Sequence, residues 1–322
     1  MVKNKIKLNI FLILVFFLFT LQLNSQSIEL IEIKKTGQYG EGFGELLVPY
    51  GSYYDPKDNK IYITDCLGEK FIVYDEYLNI LDEIKLKNIS TFDNFMNNFH
   101  RNKKQFFKKP FEVSESLPAD ITVFNNKIYV VEEFNERVSI WNKNGEFIKT
   151  IGSRGRDKYK LSHPLGIFSN ERLQNIMVVD SDNNRILTYD QNFKYISEFS
   201  NSKDGFNFEF PYYGSFDNFD NIFIVDRGNN RVVRFDKNFN YISELNNFDY
   251  PHDITFDKFN NIFVADTNNG TVVVFDNNGN KIKTFSKDFL NPKVVLVFGD
   301  KLLVGDIGSQ EQVLTLYQIK YD

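Results

Sequence analysis

Residues Tyr250–Phe285, YPHDITFDKFNNIFVADTNNGTVVVFDNNGNKIKTF, hold four short runs: Ile254–Phe256, Ile262–Ala265, Thr271–Phe275 and Lys281–Phe285. Each is rich in β-branched or aromatic residues and bounded by Asn, Gly or Asp, which supply turns. The stretch therefore reads as one small antiparallel sheet of short strands.

The same unit recurs through the chain. An apolar strand ending in an acid appears as IYITD at Asp65, IYVVE at Glu132, IMVVD at Asp180, IFIVD at Asp226, IFVAD at Asp266 and LLVGD at Asp306, at intervals of 67, 48, 46, 40 and 40 residues. A proline precedes the first strand of every unit, at positions 49, 118, 164, 211, 251 and 292. Its fixed φ and missing donor suit the start of a strand rather than its middle. After the acid comes a polar turn and a third strand, as in DNNRILTYD (182–190), GNNRVVRFD (228–236) and NNGTVVVFD (268–276).

Six units of about 40 residues, each with four short strands, predict an all-β fold: a six-bladed β-propeller of four-stranded antiparallel blades. The blades fall at about 47–86, 117–151, 163–199, 210–245, 250–285 and 291–319. The last unit supplies three strands only, while Ile28–Lys35 is a lone strand-like run. Pairing of residues 28–35 with the last blade would close the ring and cover an open edge. Composition agrees, with 34 Phe and 17 Tyr against 3 Met, and 42% hydrophobic residues. A net charge of −5 is unlike the basic footprint of a nucleic-acid binder, and the single cysteine, Cys66, excludes an intrachain disulfide.

Two segments stand apart from the repeats. Lys3, Lys5 and Lys7 precede an uncharged run from Leu8 to Leu23 and then polar residues, the order of a secretory signal over residues 1–25. Export to the periplasm or medium is expected, with an uncleaved membrane anchor as the alternative. The interval 87–116 places Phe92, Phe95, Met96 and Phe99 at helical spacing, with Lys103, Lys104, Lys108 and Lys109 following. A helical insertion at about 90–109 is expected, packed on the propeller or, as a basic amphipathic element, in contact with a membrane or a partner.

The order proline, strand, N-I-[YF]-[VI]-x-D, N-N-R-[VI], strand, F-D-x-N-G resembles the NHL repeat, and the six units cover residues 28–322. TGQYGEGFGELLVP (36–49) and IGSRGRDKYKLSHP (151–164) are similar to the Gly-rich connectors of that family. PHDITFD (251–257) resembles the peptidylglycine amidating lyase, in which the histidine after the proline is a zinc ligand contributed by each of three blades. Here that position holds Tyr50, Ala119, Leu165, Tyr212, His252 and Lys293 in turn, while His163 precedes its proline and His100 lies in the insertion. A three-histidine zinc site, which needs three protein ligands and an open fourth position, is not expected.

The residues that break the repeat carry the functional expectation. If the positions after the prolines share one channel mouth, Tyr50, Tyr212, His252 and Lys293 present two phenols, an imidazole and an ammonium, suited to an anionic or hydrogen-bonding ligand. Asp120 and Asp253, one residue on, would neutralise Lys293 and His252 if they face the same way. His252 is the foremost candidate for acid, base or ligand chemistry. The second-strand acids recur in all six blades and are read as structural, as is the Cys66 thiol. The expected function is a monomeric binding or scaffold module for a protein, peptide or glycan, with no nucleic acid and no cofactor. The alternative is a metal-dependent lyase or lactonase-like hydrolase using zinc or calcium at the mouth.

Overall fold

The computed structural model describes residues 27–38, 40–86, 117–200, 206–286, 289–308 and 314–321. Both the signal-like segment and the expected helical insertion lie outside the described residues.

Six four-stranded antiparallel sheets form the blades of a closed ring. Within each, strand follows strand from the axis outward, and the innermost strands are Pro49–Asp55, Pro118–Phe124, Pro164–Asn170, Pro211–Phe216, Pro251–Phe256 and Pro292–Phe298. Each innermost strand contacts that of the next blade, and the sixth contacts the first. The last blade is completed by Ile28–Thr36, which pairs antiparallel with Leu314–Tyr321 from Ile28↔Tyr321 to Thr36↔Leu314. One strand from near the start of the chain thus covers the outer edge of the last blade.

The core lies between the blades. The second strands are apolar on both faces and buried throughout, as in Ile222–Asp226 and Ile262–Asp266, because each sheet is sandwiched between two neighbours. Ile61, Ile63, Ile72 and Tyr74 of the first blade, for example, pack against Phe298, Leu303 and Leu316 of the last. The abundant Asn and Asp close the hairpins. Asp276 accepts the backbone N–H groups of Asn278 and Asn280 and the Asn280 amide at 2.8–2.9 Å, and Asp75, Asp217, Asp236 and Asp257 do the same in their own turns. Such Asx turns satisfy the backbone where the ladder ends.

The second-strand acids anchor the connectors. Asp65 accepts the N–H groups of Leu47, Val48 and Gly68. Asp226 accepts from Glu209 N–H, the Asn229 amide and the Arg231 guanidinium, and Asp306 accepts from Leu290, Asn291 and Gly308. These bonds hold each connector against the start of its own blade.

Candidate functional site: a phenol and cation cluster at the channel mouth

Every innermost strand loses register just after its proline, between Pro49 and Ser52, Pro118 and Asp120, Pro164 and Gly166, Pro211 and Gly214, Pro251 and Ile254, and Pro292 and Val294. A bulge at this point re-aims the side chains beside it. It turns the residue after each proline toward the axis, so that residues far apart in sequence meet at one end of the channel.

The structure brings Tyr50, Tyr212, His252 and Lys293 together there. The Tyr50 and Tyr212 hydroxyls hydrogen-bond to each other across the axis. His252 lies beneath them, its ring centroid 4.9 Å from Tyr50, 4.7 Å from Tyr212 and 5.2 Å from Tyr213. It is completely buried, and the polar group nearest its ring nitrogens is the Lys293 backbone. Burial, reinforced by the nearby Lys293 and Arg227 charges, pushes the imidazole well below its ordinary pKa. His252 is therefore a neutral ring in an aromatic box, out of reach of a ligand in the mouth.

Lys293 lies less deep. Its ammonium sits 5.7 Å from the Tyr50 ring centroid, and burial followed by repulsion from Arg227 pushes its pKa down to about 8. No carboxylate pairs with it among the described residues. Asp120 and Asp253, expected to neutralise this cluster, are engaged elsewhere. Asp120 accepts the N–H groups of Ile121 and Ile167, and Asp253 those of Ile254 and Val295, all at 2.7–2.9 Å. Each aspartate thereby ties its blade to the next. Burial raises both, Asp253 to about 7, with Asp253 itself adding to the rise at Asp120.

Four further residues complete the site. In three blades the residue after the second-strand acid also reaches this cluster, at a position that the repeat alignment contains but that the acid itself overshadows. In blade four it is Arg227, buried, with its guanidinium 3.9 Å from the Tyr212 ring centroid and 3.3 Å from that of Tyr250, and with no hydrogen-bond partner at Nε. In blade two it is Glu133, held by His163 Nε2 at 2.7 Å. In blade one it is Cys66, buried, near enough to Tyr50 and Lys293 to act on their charges. The fourth, Tyr213, closes the channel below. Its hydroxyl reaches the carbonyl oxygens of Ala119 at 2.6 Å and Tyr50 at 2.9 Å. The inner strands crowd here: a Cβ on Gly51 would lie 2.6 Å from the Asp120 Cα, so only glycine fits.

The mouth is thus packed with aromatic rings, Tyr213 and His252 lying against the phenol pair. Among the described residues it carries two cations with no carboxylate partner, one phenol pair and one occupied carboxylate. Residues 110–208 match the model of a 6-bladed beta-propeller family, and residues 248–275 match that of the NHL repeat. The chain is a six-bladed β-propeller, with an NHL-repeat match confined to part of its fifth blade.

No curated protein sequence matches this propeller. Among solved structures it is similar to a streptogramin B lyase, at 13% identity over 92% of this chain and 88% of that one, with a TM-score of 0.58. It is similar to a luciferin-regenerating enzyme at 13% identity, 91% and 95% coverage and a TM-score of 0.60. It is similar to a chain of the nidogen/laminin complex at 17% identity, 74% and 80% coverage and a TM-score of 0.55. At these identities the likeness is one of fold.

The mouth of this propeller does not fit the three-histidine zinc site of the amidating lyase. Among the described residues the one histidine packed into it is sealed under three tyrosines, and Lys293 and Arg227 would repel a divalent cation. Nor do Asp120 and Asp253 fit a calcium site, because both carboxylates already accept backbone N–H groups. Among the described residues no group of three or more His, Cys, Asp and Glu side chains is placed to hold a metal ion.

Proposed function

We propose that the protein is an exported binding module whose channel mouth holds an acidic group of a peptide or glycan partner. The observation that carries this reading is the pairing of Lys293 and Arg227 at one mouth with no carboxylate paired to either among the described residues. Two like charges brought together out of water raise each other's energy, and an anion placed between them relieves that cost. The Tyr50–Tyr212 hydroxyl pair has one proton left to donate to the same group, and the Arg227 guanidinium is oriented in advance by the tyrosines on its faces.

Calorimetric titration with an acidic tetrapeptide and with a uronic-acid disaccharide tests this reading and separates the two sources. Saturable binding by one of them, weakened about tenfold or more in Lys293→Met, a loss the size of one charge-assisted hydrogen bond, supports it. Equal binding of the amidated, uncharged peptide or of the neutral sugar would overturn it.

A further inference from the structure

A second site lies between blades four and five, away from the Lys293 and Arg227 mouth. The first residue of each third strand pairs with the second-strand acid, and in blades one to four it is a cation: Lys70, Arg137, Arg185 and Arg231. In blades one, three and four the cation also meets a glutamate of the fourth strand, Glu83, Glu198 or Glu244, at 2.9–3.1 Å. It reaches the connector as well. Arg185 donates to the carbonyls of Arg156, Asp157 and Lys160, and Arg231 to that of Asn207. The guanidinium is therefore a plug between the connector and the outer half of its blade.

Blade five lacks the plug and keeps its socket. Thr271 occupies the register position of the cation, opposite Asp266, and Thr284 that of the fourth-strand glutamate, opposite Val273. The connector is short, running from Leu245 to Pro251. In the space that Arg185 and Arg231 fill in their blades there is a half-open cavity of about 640 Å³, lined by Asn246, Asn247, Asp266, Thr271 and Thr284 with Phe248 beside them. Asp266 Oδ2 accepts from Asn269, whereas Asp226 Oδ2 accepts from both Asn229 and Arg231. The Thr284 hydroxyl is buried with no partner. Lys281 stands at the exposed rim without forming an ion pair to Asp266 among the described residues.

We infer that this cavity binds a guanidinium group brought by a ligand, seated where Arg185 and Arg231 sit in the sibling blades. The carboxylate that receives the guanidinium there is present here, the hydroxyls and side-chain amides supply further acceptors, and the volume admits the alkyl stem and an adjoining backbone. The ligand is an arginine, free or within a peptide.

Calorimetry and two-dimensional NMR of the whole folded protein test the assignment, with N-acetyl-arginine methylamide, a Gly-Arg-Gly peptide amide and the isosteric N-acetyl-citrulline methylamide as probes. Tighter binding of the tripeptide than of the single residue assigns the site to peptides, and equal affinity assigns it to arginine itself. Resonances of Thr271, Asn269 and Thr284 shift on saturation, and citrulline binds about tenfold or more weakly, because it lacks the charge that strengthens the hydrogen bonds. The double variant Thr271→Arg, Thr284→Glu rebuilds the sibling pair, melts at or above the wild-type temperature and loses the site. Lys293→Met binds arginine as the wild type does. No saturation, equal binding of citrulline, shifts confined to residues elsewhere, or unchanged affinity in the folded double variant would each overturn the proposal.

Discussion

His252 and Lys293 show how burial divides the chemistry of two neighbouring residues. The imidazole is sealed and held uncharged by burial, so the fold uses it as an aromatic filler. Replacing it by Leu keeps the box filled and removes two polar nitrogens from an apolar site, and we expect a melting temperature equal to or above that of the wild type. His252→Ala instead opens a cavity and lowers stability by about 3 kcal/mol, read from urea unfolding. Lys293 has a folded pKa near 8, below its ordinary value, so between pH 8 and about 10.4 the unfolded chain holds more protons and stability rises with pH. Anion binding moves the other way, being full below pH 8 and lost above it. Asp253 behaves oppositely. Raised to about 7, it holds its proton in the folded state between roughly pH 4 and 7, so its contribution to stability is present at the acid end and declines across that window. Urea midpoints measured from pH 4 to 8 should fall less steeply in Asp253→Asn than in the wild type.

At the level of the strand and its turns, the repeats explain both what the sequence discloses and what it hides. The proline, the strand-ending acid and the Asn-rich turns recur because each blade needs the same bulge, the same connector anchor and the same hairpin closure. Their spacing is therefore visible as a pattern. The mouth residues Tyr50, Tyr212, His252 and Lys293 were legible as departures from it. Their depths were not: nothing in the string PHD indicates that His252 lies under three tyrosines while Lys293 remains half-buried, since that depends on partners from blades one and four. Arg227 and Glu133 sit one residue beyond a marker acid, and comparing that position across all six units would have raised them. Asp120 and Asp253 misled because an inward carboxylate looks available until the N–H groups of the next blade are placed against it. The anchors themselves make a direct prediction. Asp226→Ala leaves the Glu209 N–H and the Asn229 amide without their acceptor while Arg231 keeps Glu244 and Asn207, and should cost about 1–3 kcal/mol, as for orphaning a buried donor, measured by chemical unfolding. A surface pair such as Lys258 with Asp300 contributes about 0–1 kcal/mol.

The molecule as a whole depends on the closing strand. Ile28–Thr36 pairs with Leu314–Tyr321 through eight residue partners and buries Ile28 against Val304 and Ile319. Removing residues 1–36 exposes that edge and the cluster beneath it, and we expect the product to elute as aggregates in size-exclusion chromatography, whereas removal of residues 1–26 leaves a folded species. The closed ring is also what makes the mouth: Tyr50 comes from the first blade, Arg227 from the fourth and Lys293 from the last. The central claim, that this mouth is an anion site, is tested most directly by NMR titration of the Lys293 ammonium with and without a saturating acidic tetrapeptide. The account predicts a midpoint near 8 for the protein alone and a clear upward move when the peptide is bound. A midpoint near the ordinary lysine value, unmoved by the peptide, would contradict it.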